Sequence, residues 1–252
     1  MFKRLITLFK IGRKVAKSDI LNIVSKFNEP PFSIKILFKI LSISLFSKKK
    51  VDEYKSEGER LSDSLESMGT TFIKLGQFLA TRPDIIGEEL SKKLENLQDK
   101  LPPFSLIEAK EIIKNDLGLD TYNSIIDLSE PVAAASIAQV HKAQINDNGT
   151  IKDVAIKILR PNIKKIFNEE IDAMMLFAFL IESFIKKTKR LKLVEVVFLL
   201  KEITNLEMDL RFEAAAANEY SENTKNDVGF RIPQIYWNFT SENVMTLDWV
   251  DG

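Results

Sequence analysis

The sequence predicts an α+β fold in which a helical first half is followed by an antiparallel sheet and further helices. Apolar residues between positions 58 and 81 recur at three- and four-residue steps, as on the buried face of a helix. Residues 132–145 are small and β-branched, and residues 152–159 form a second strand-like run after the turn sequence Asn146-Asp147-Asn148-Gly149. With 45% hydrophobic and 29% charged residues, the chain has the composition of a folded protein.

Two residue counts exclude whole classes of site. The chain has no cysteine, which excludes disulfides and cysteine-ligated metal centres. It has a single histidine, His141, which argues against a histidine-rich metal centre and against a serine–histidine triad. His141 directly follows the alanine-rich run described below, and a lone histidine in a strand is expected to be structural.

The first fifty residues carry a strong positive charge. They hold twelve Lys and Arg against two acidic residues, a net charge of +10, and the remaining residues carry −10. Residues 31–50 are apolar and basic, which predicts a helix at an anionic membrane surface or a helix that packs on the body with lysines at its edges. The charge excess favours the membrane. Lys35 and Lys39 interrupt the apolar run, which is too short to span a bilayer.

Local signals place the remaining helices of the first half. The pattern over residues 58–81 predicts one helix that Pro83 ends, and a second helix is predicted over about residues 84–99. The sequence Leu101-Pro102-Pro103-Phe104 indicates a boundary. Beyond it, Ser105 and Glu108 form a capping box that opens a helix, and Gly118 closes that helix.

The second half begins with the strand-like runs and ends with two more. The strand over residues 152–159 is ended by Arg160-Pro161, and helices are predicted over residues 163–220. Residues 230–237 and 243–249 are then predicted as strands, because each is rich in β-branched and aromatic side chains.

The strongest chemical signal is a pair of elements at a fixed distance. Val154-Ala155-Ile156-Lys157 matches the strand tetrapeptide whose lysine contacts the phosphates of ATP in protein kinases. Upstream, residues 133–140 have alanine where the kinase loop G-x-G-x-x-G-x-V has glycine, and Val140 stands in register seventeen residues before Lys157. Small residues let a loop backbone approach phosphates closely. A solvent-facing strand lysine and an alanine-rich helix would explain each piece alone, but their order and spacing favour a nucleotide site.

A kinase lysine needs a carboxylate partner on a helix. Asp209 and Glu213 are spaced i, i+4 and would share one helix face, whereas Glu207 points elsewhere. In the alternative interpretation, Glu207 forms an exposed ion pair with Arg211 and the other charges face solvent. The residues alone leave both interpretations open.

The last predicted strand leads into Asp248-Trp249-Val250-Asp251-Gly252. An apolar strand that runs into a short connector is typical of the adenine-binding hinge of a kinase. Many other strands end in the same way, so this signal has low specificity.

These motifs together resemble the UbiB/ADCK family of atypical kinase-like proteins, which is associated with ubiquinone biosynthesis. The most specific element is Lys74-Leu75-Gly76-Gln77, the KxGQ signature, which lies on the helix predicted over residues 58–81. The resemblance covers about residues 57–252. It implies a protein-kinase-like N-lobe, made of an antiparallel sheet and helix αC, behind an all-helical N-terminal extension that carries KxGQ.

The resemblance also implies a role for each candidate residue. Lys157 would contact the phosphates, Glu213 would be its ion-pair partner on helix αC, and Glu207 and Asp209 would form the E-x-D motif that meets Lys74 over the active site. Backbone groups of Asp248 and Val250 would contact adenine. The alanine-rich loop that replaces the glycine-rich loop would comprise Val132, Ala133, Ala134, Ala135, Ser136, Ile137, Ala138, Gln139 and Val140.

The resemblance further divides the chain into three parts. These are a basic amphipathic segment (1–50), a helical extension with KxGQ (51–125), and a kinase-like N-lobe (126–252) with a helical insertion over about residues 163–200. A kinase C-lobe carries a catalytic-loop aspartate and a DFG aspartate that holds Mg²⁺. Neither motif occurs in this sequence, so no metal ligand is expected in this chain. We therefore expect a fragment that ends at the hinge and does not complete phosphoryl transfer by itself.

The expected function is that of an ATP- and Mg²⁺-binding atypical kinase or ATPase that supports ubiquinone biosynthesis. Its expected place is the cytoplasmic face of a bacterial inner membrane, with the membrane anchor in a further C-terminal part. Expected partners are ATP or ADP, an anionic membrane surface, and ubiquinone-biosynthesis proteins or prenyl-lipid intermediates. The alternative is a non-catalytic membrane-surface scaffold or regulatory protein that keeps the lobe only as a fold. Nucleic acid is not expected, because the basic segment is apolar between its charges and contains no recognised module.

Overall fold

The structure, a computed structural model, describes residues 9–14, 55–95, 97, 101–184, 186–229 and 231–251. Residue contacts divide the chain into two units. The first comprises Met1–Asp99 and Lys165–Glu202, and the second comprises Lys100–Lys164 and Ile203–Gly252. The basic helix predicted over residues 31–50 lies outside the described residues.

Four helices follow one another in the first unit: α1 (Glu57–Met68), α2 (Thr70–Ala80), α3 (Pro83–Ile86) and α4 (Glu88–Leu94). The prediction of one helix over residues 58–81 is wrong, because Gly69 has a φ of 104° and separates α1 from α2. Glycine adopts this conformation without the steric cost that a side chain would bring. As predicted, the helical run ends before Pro83, but Gly87 interrupts the helix predicted over residues 84–99.

Two glycines let the helices of this unit approach each other closely. A Cβ added to Gly58 in α1 would lie 2.5 Å from the Cβ of Lys93 in α4. A Cβ added to Gly76 in α2 would lie 2.9 Å from a methyl carbon of Leu65 and 3.2 Å from one of Leu97. Leu65 and Leu97 are both buried, so the glycine of the KxGQ signature is a packing residue in the core of this unit.

Residues 9–14 contact both these helices and a segment from the other end of the unit's sequence. Residues 9–14 are helical, and Ile11 is buried. Lys14 Nζ donates a 2.7 Å hydrogen bond to the carbonyl oxygen of Met68 and lies 3.5 Å from a carboxylate oxygen of Glu170. The first turns of the chain that the structure describes are therefore part of the folded unit.

Long helices occupy the region after the predicted strands, as expected. They are α7 (Ile163–Phe184) and α8 (Leu193–Glu207), which a 3₁₀ helix (Lys186–Leu191) connects. Among the described residues, no helix combines the length and the hydropathy that crossing a bilayer requires.

The second unit contains a five-stranded antiparallel sheet, as the sequence predicts for an α+β fold. Its strands are β1 (Ile125–Ile126), β2 (Pro131–Ala134), β3 (Ala138–Asp147), β4 (Thr150–Leu159) and β5 (Val244–Asp248). The order is β1-β3-β4-β5, with β2 paired to β3. The unit's helices are α5 (Leu106–Leu117), α6 (Leu119–Asn123) and α9 (Leu210–Thr224).

The β3–β4 hairpin sets the register of the sheet. Asp147 pairs with Thr150, so Asn148 and Gly149 form a two-residue turn, with φ values of 51° and 88°. Two successive positive φ angles define the type I′ turn, whose twist matches that of the flanking strands. This confirms the turn predicted from the sequence. From the turn, ten residue pairs extend to Ala138 and Leu159.

The strand predicted over residues 230–237 is wrong. Only Ile235 forms a bridge, to Leu247, and the chain then enters a short 3₁₀ helix at Trp237–Phe239. Pro233 has no N–H to donate, and the Asp248 carboxylate accepts both the Gln234 N–H at 3.2 Å and the Tyr236 hydroxyl at 2.7 Å. Backbone bonds from the Tyr236 N–H to the Thr246 carbonyl oxygen (2.9 Å) and from the Asp248 N–H to the Gln234 carbonyl oxygen (3.0 Å) flank this bridge, so the side-chain bonds supplement a backbone pairing that is limited to one bridge. The fifth strand is instead the short β1, which the sequence did not indicate.

Helix α5 packs on one face of the sheet. It has the predicted capping box between Ser105 and Glu108, and it ends at Gly118 as predicted. Its Ala109 and Ile113 are fully buried. The core that they share with the sheet includes Ala143, Ile145, Val154, Ile156, Ile158, Tyr236, Phe239 and Val244. Burial of each large apolar side chain contributes about 1.5–3 kcal/mol, so this face holds the second unit together.

His141 is buried in β3 and has a structural role. Its Nδ1 lies 2.7 Å from the Ser129 carbonyl oxygen, which can only accept, so Nδ1 carries the hydrogen. Its Nε2 therefore accepts from the side-chain amide of Gln139 at 2.9 Å. Burial lowers the pKa of His141 below its ordinary value, and this effect outweighs the hydrogen bond to Ser129 and the charge of Glu130, which both raise it.

We predict that Gly58→Val destabilises the first unit. Because the added atoms would meet the Cβ of Lys93, α1 and α4 must separate, which costs about 1–3 kcal/mol. The midpoint of thermal unfolding measures the loss. Ser62→Val, at a half-exposed position of the same helix, is the control, and an equal effect of the two variants would contradict the close packing at Gly58.

We predict that the free energy of unfolding falls as the pH decreases below about 6.5, the ordinary pKa of histidine. Below this pH the unfolded chain binds a proton at His141 that the folded chain does not bind, so protonation favours unfolding. Urea unfolding at pH 7.5 and 5.5 should show a larger drop for the wild type than for His141→Gln. Equal drops, or a charged imidazole in the ¹⁵N spectrum of the folded wild type at pH 6, would contradict the prediction.

Candidate active site

The candidate site lies on the face of the sheet opposite α5. Along β4, Val154, Ile156 and Ile158 are buried toward α5, whereas Ala155 and Lys157 alternate onto the other face. Val140 pairs with Lys157 across the hairpin, so the two motifs found in the sequence are adjacent on this face.

Lys157 forms an ion pair with Glu213 of α9. Its Nζ lies 2.7 Å from both carboxylate oxygens, although the residues are 56 positions apart. The lysine side chain is 26% exposed and the glutamate side chain 49%. An ion pair this exposed adds little stability, so its main effect is to hold the lysine in one orientation. Of the carboxylates considered in the sequence, Glu213 is thus the partner of Lys157.

Helix α9 begins at a well-defined point, which fixes the position of Glu213. Asp209 is its N-cap, with extended backbone (φ −126°), and accepts the Arg211 N–H. The prediction that Asp209 and Glu213 share one helix face is therefore wrong, because Asp209 lies outside the helix. The Leu210 N–H donates a 3.0 Å bond to the Glu242 carbonyl oxygen, and Leu210 is fully buried.

Arg211 forms an ion pair with Asp209 at this helix start, whereas the alternative interpretation of the sequence expected Glu207 as its partner. The Arg211 guanidinium contacts both carboxylate oxygens of Asp209, at 2.9 and 2.7 Å. This pairing holds the pKa of Asp209 below its usual range and raises the pKa of Arg211. Glu207 is the last residue of α8, and the break at Asp209 removes the i, i+4 relation that would have joined it to Arg211 on one helix.

The alanine-rich run forms a hairpin, not a helix. Ala133 and Ala134 in β2 pair with Val140 and Gln139 in β3, after an irregularity at Val132. The Ala135 N–H bonds to the Ala138 carbonyl oxygen at 2.8 Å and closes the turn. Val132 and Ala133 are exposed, Ala134, Ala135 and Val140 are half-buried, and Ser136, Ile137, Ala138 and Gln139 are buried. This hairpin precedes β4 as the phosphate loop of a kinase precedes its lysine strand.

Two side chains at this loop were not recognised in the sequence for what they do. The Arg160 guanidinium donates to the Ala135 carbonyl oxygen, and the Gln139 side-chain amide exchanges hydrogen bonds with the backbone of Phe104. In the sequence, Arg160 marks only the end of a predicted strand. Its position directly after the lysine strand was the available signal.

The connector after β5 runs along the edge of the sheet. The Trp249 N–H donates to the Asp153 carbonyl oxygen at 3.1 Å, and the Asp248 N–H donates to that of Gln234 at 3.0 Å. The ammonium of Lys142 lies 4.7 Å from the centre of the Trp249 ring. Val250 is 47% exposed. Of the residues predicted for adenine contact, Asp248 is thus the last residue of β5, the strand next to β4, and Val250 follows in the connector.

Lys74 lies in the first unit, half-buried in α2, where the KxGQ signature forms about one turn of helix with Gly76 at the core. Within the second unit, Lys157, Glu213 and the alanine-rich hairpin come together on one lobe. In the described ranges, no three His, Cys, Asp or Glu side chains cluster as a metal ion would require.

The open sheet face carries small and apolar side chains around Lys157. Val140, Ala155 and Leu247 are half-buried there, on three adjacent strands. Two concave regions of about 160 and 380 Å³ lie elsewhere on this unit and contain neither Lys157 nor Glu213 among their lining residues. The surface around the Lys157–Glu213 ion pair is thus partly apolar.

Known proteins are similar in sequence to most of this chain. A profile of the ABC1 atypical kinase-like domain matches residues 96–252. Proteins named "Probable protein kinase UbiB" are 36% identical over 226 residues in Marinobacter nauticus (89% of this chain, 40% of the relative) and 35% identical over 198 residues in Cellvibrio japonicus (78% and 35%). One from Vibrio cholerae is 36% identical over 211 residues (83% and 38%). The chain thus spans about two fifths of the length of these curated relatives, and it belongs to the ABC1 atypical kinase-like family.

Proposed function

We propose that the second unit binds the phosphates and the adenine of ATP on the open face of its sheet. The observation that carries this proposal is the ion pair of Lys157 with Glu213, at 2.7 Å, beside a hairpin of small residues. A lysine held by a carboxylate and still partly exposed can contact a phosphate without losing its charge.

The remaining residues of this face fit a nucleotide. Val140, Ala155 and Leu247 present half-buried apolar surface, which a flat, weakly polar base can cover. Ala133, Ala134 and Ala135 let the loop backbone approach the phosphates, as glycine does with more freedom. Backbone groups of Asp248, at the end of β5, and of Val250, in the connector, are the proposed hydrogen-bond partners of adenine.

Each candidate site residue has a defined role in this proposal. Lys157 orients the α- and β-phosphates, and Glu213 positions Lys157. Lys74 gates access to the site, together with Glu207 and Asp209. Bound ATP would supply the phosphoryl group, with Mg²⁺ to balance its charge, and we assign no Mg²⁺ ligand to the described residues.

The proposed role of the whole protein is that of an atypical kinase or ATPase supporting ubiquinone biosynthesis. The family match and the relatives named UbiB support this role. The phosphoryl acceptor would be a small lipid-like molecule, such as a prenyl-lipid intermediate, and the site of action the cytoplasmic face of a bacterial inner membrane. In the alternative, the lobe is retained as a scaffold or regulatory domain without nucleotide.

A second proposed interaction, with an anionic membrane surface, rests on residues 1–50 and their net charge of +10. Charge of this density attracts anionic headgroups over about a Debye length. The buried Ile11 is part of the folded first unit, so a deletion of this segment would also disturb the fold. Substitutions of lysines are therefore the better test.

We predict that Lys157→Ala weakens ATP binding about 10- to 100-fold and leaves adenosine binding unchanged. The variant loses a charge-assisted contact to phosphate worth about 1.5–3 kcal/mol and leaves the Glu213 carboxylate to repel the ligand. Titration of the ¹⁵N-labelled chain with ATP and with adenosine, followed by backbone amide shifts, detects even millimolar affinity.

Lys152→Ala is the matched control, because it removes the same charge from the same strand but from the opposite face. Glu213→Gln, which keeps the shape and removes the charge, should weaken ATP binding by a smaller factor. Wild-type ATP affinity in Lys157→Ala, or no ATP-dependent shift at residues 133–140 in the wild type, would refute the nucleotide site.

We predict that vesicles containing phosphatidylglycerol co-sediment with the chain, and that substitution of five lysines by glutamine weakens this binding at least tenfold. Each lysine near such a surface contributes about 1 kcal/mol. The same positions substituted by arginine keep the charge and should bind as the wild type does. Equal binding of the glutamine variant would exclude this segment as the contact. The five are Lys35, Lys39, Lys48, Lys49 and Lys50.

A further inference from the structure

The tip of the alanine-rich loop is held inside the second unit. Ser136 is fully buried, and Ile137 and Ala138 are 8% and 1% exposed. A loop that must open and close over a ligand is expected to make few buried contacts. The buried tip therefore indicates that this loop keeps one position.

Arg160 makes most of the contacts that hold the loop. Its backbone N–H donates to the Ile137 carbonyl oxygen at 2.9 Å. Its guanidinium donates to the Ala135 carbonyl oxygen through Nε and Nη2, at 3.1 and 2.8 Å. The same group reaches the carbonyl oxygens of Pro102 at 2.8 Å and Leu101 at 3.2 Å. One side chain thus joins the loop to the connector that precedes α5.

Gln139 makes a second join between the hairpin and this connector. Its side-chain oxygen accepts the Phe104 N–H at 3.0 Å, and its side-chain nitrogen lies 3.2 Å from the Phe104 carbonyl oxygen. His141 accepts from the same nitrogen and so fixes the orientation of the amide. The hairpin is therefore fastened to residues 101–104 on both sides of its tip.

Only arginine can make this set of bonds. A guanidinium offers five N–H donors in a planar fork, so it can serve three carbonyl oxygens at once, whereas an ammonium is a point donor. Arg160 also stands three residues after Lys157, at the end of the same strand. The strand that carries the phosphate-contacting lysine thus also determines where the loop backbone lies.

We propose that Arg160 is a positioning residue that fixes the alanine-rich loop, before any ligand arrives, at the place where a nucleotide's phosphate chain binds. This inference rests on the proposed nucleotide site. A loop that is already ordered loses no conformational freedom on binding, so the fastening increases affinity for the phosphates in particular. Because adenosine has no phosphate, its affinity is not increased by the fixed position of the loop.

The test compares Arg160→Met with Arg231→Met in the full chain. Arg231 is exposed in the same unit, so its variant loses the same charge elsewhere. In Arg160→Met, amide hydrogen exchange at residues 134–138 should accelerate at least tenfold without ligand, while exchange in the core strands stays as in the wild type. ATP binding, measured by amide shifts, should weaken about 3- to 30-fold, and adenosine binding should not change.

Arg160→Lys provides the second variant. It keeps the charge and the aliphatic stem but loses the fork, so it should restore only part of the loop protection and of the ATP affinity. It also replaces Arg160→Met in the comparison if that variant does not fold. Unchanged loop exchange in a folded Arg160 variant would overturn the fastening, and equal losses for ATP and adenosine would overturn the positioning role.

The outcomes separate this inference from the proposed function. If the wild type bound no ATP while the loop exchange still accelerated in Arg160→Met, the nucleotide site would fail and with it the positioning role, leaving the fastening as structure alone. If the wild type bound ATP and the Arg160 variants bound it equally well, only the present inference would fail.

Discussion

The register of the β3–β4 ladder is the constraint on which the second unit depends. The two-residue turn at Asn148 and Gly149 starts ten consecutive residue pairs, and these place Val140 opposite Lys157. A shift by one residue would turn the lysine toward α5 and the isoleucines of β4 toward solvent. The apolar face and the turn therefore specify the same pairing, and the lysine is presented to the open face as a result.

The partner of that lysine depends on where α9 begins. Leu210 is buried and bonded to the carbonyl of Glu242, and Asp209 caps the helix. These contacts set the helix start, and Glu213, one turn into the helix, then lies within hydrogen-bond distance of Lys157. Because the pair is partly exposed, it contributes orientation more than stability, which is what a phosphate-contacting group requires.

The loop above the lysine differs from a mobile phosphate loop in composition and in attachment. Alanine restricts the backbone more than glycine does, and Arg160 and Gln139 tie the hairpin to residues 101–104. The alanine content and these side-chain contacts both reduce the motion of the loop. The small side chains and the fixed backbone act in the same direction, and both fit the proposal of a nucleotide site that is formed before its ligand binds.

Local signals in the sequence determined a large part of this protein. The capping box at Ser105, the turn at Asn148 and the strand ending at Arg160 were correct, because each depends on a few neighbouring residues. The motifs around Val140 and Lys157 also indicated the family.

Tertiary contacts determined the features that these local signals did not predict. Glu213 is separated from Lys157 by 56 residues, and the start of α9 at Leu210 and the single bridge at Ile235 depend on partners distant along the chain. Periodicity reports only which face of an element is apolar, so it does not identify the distant groups that complete a hydrogen bond or an ion pair.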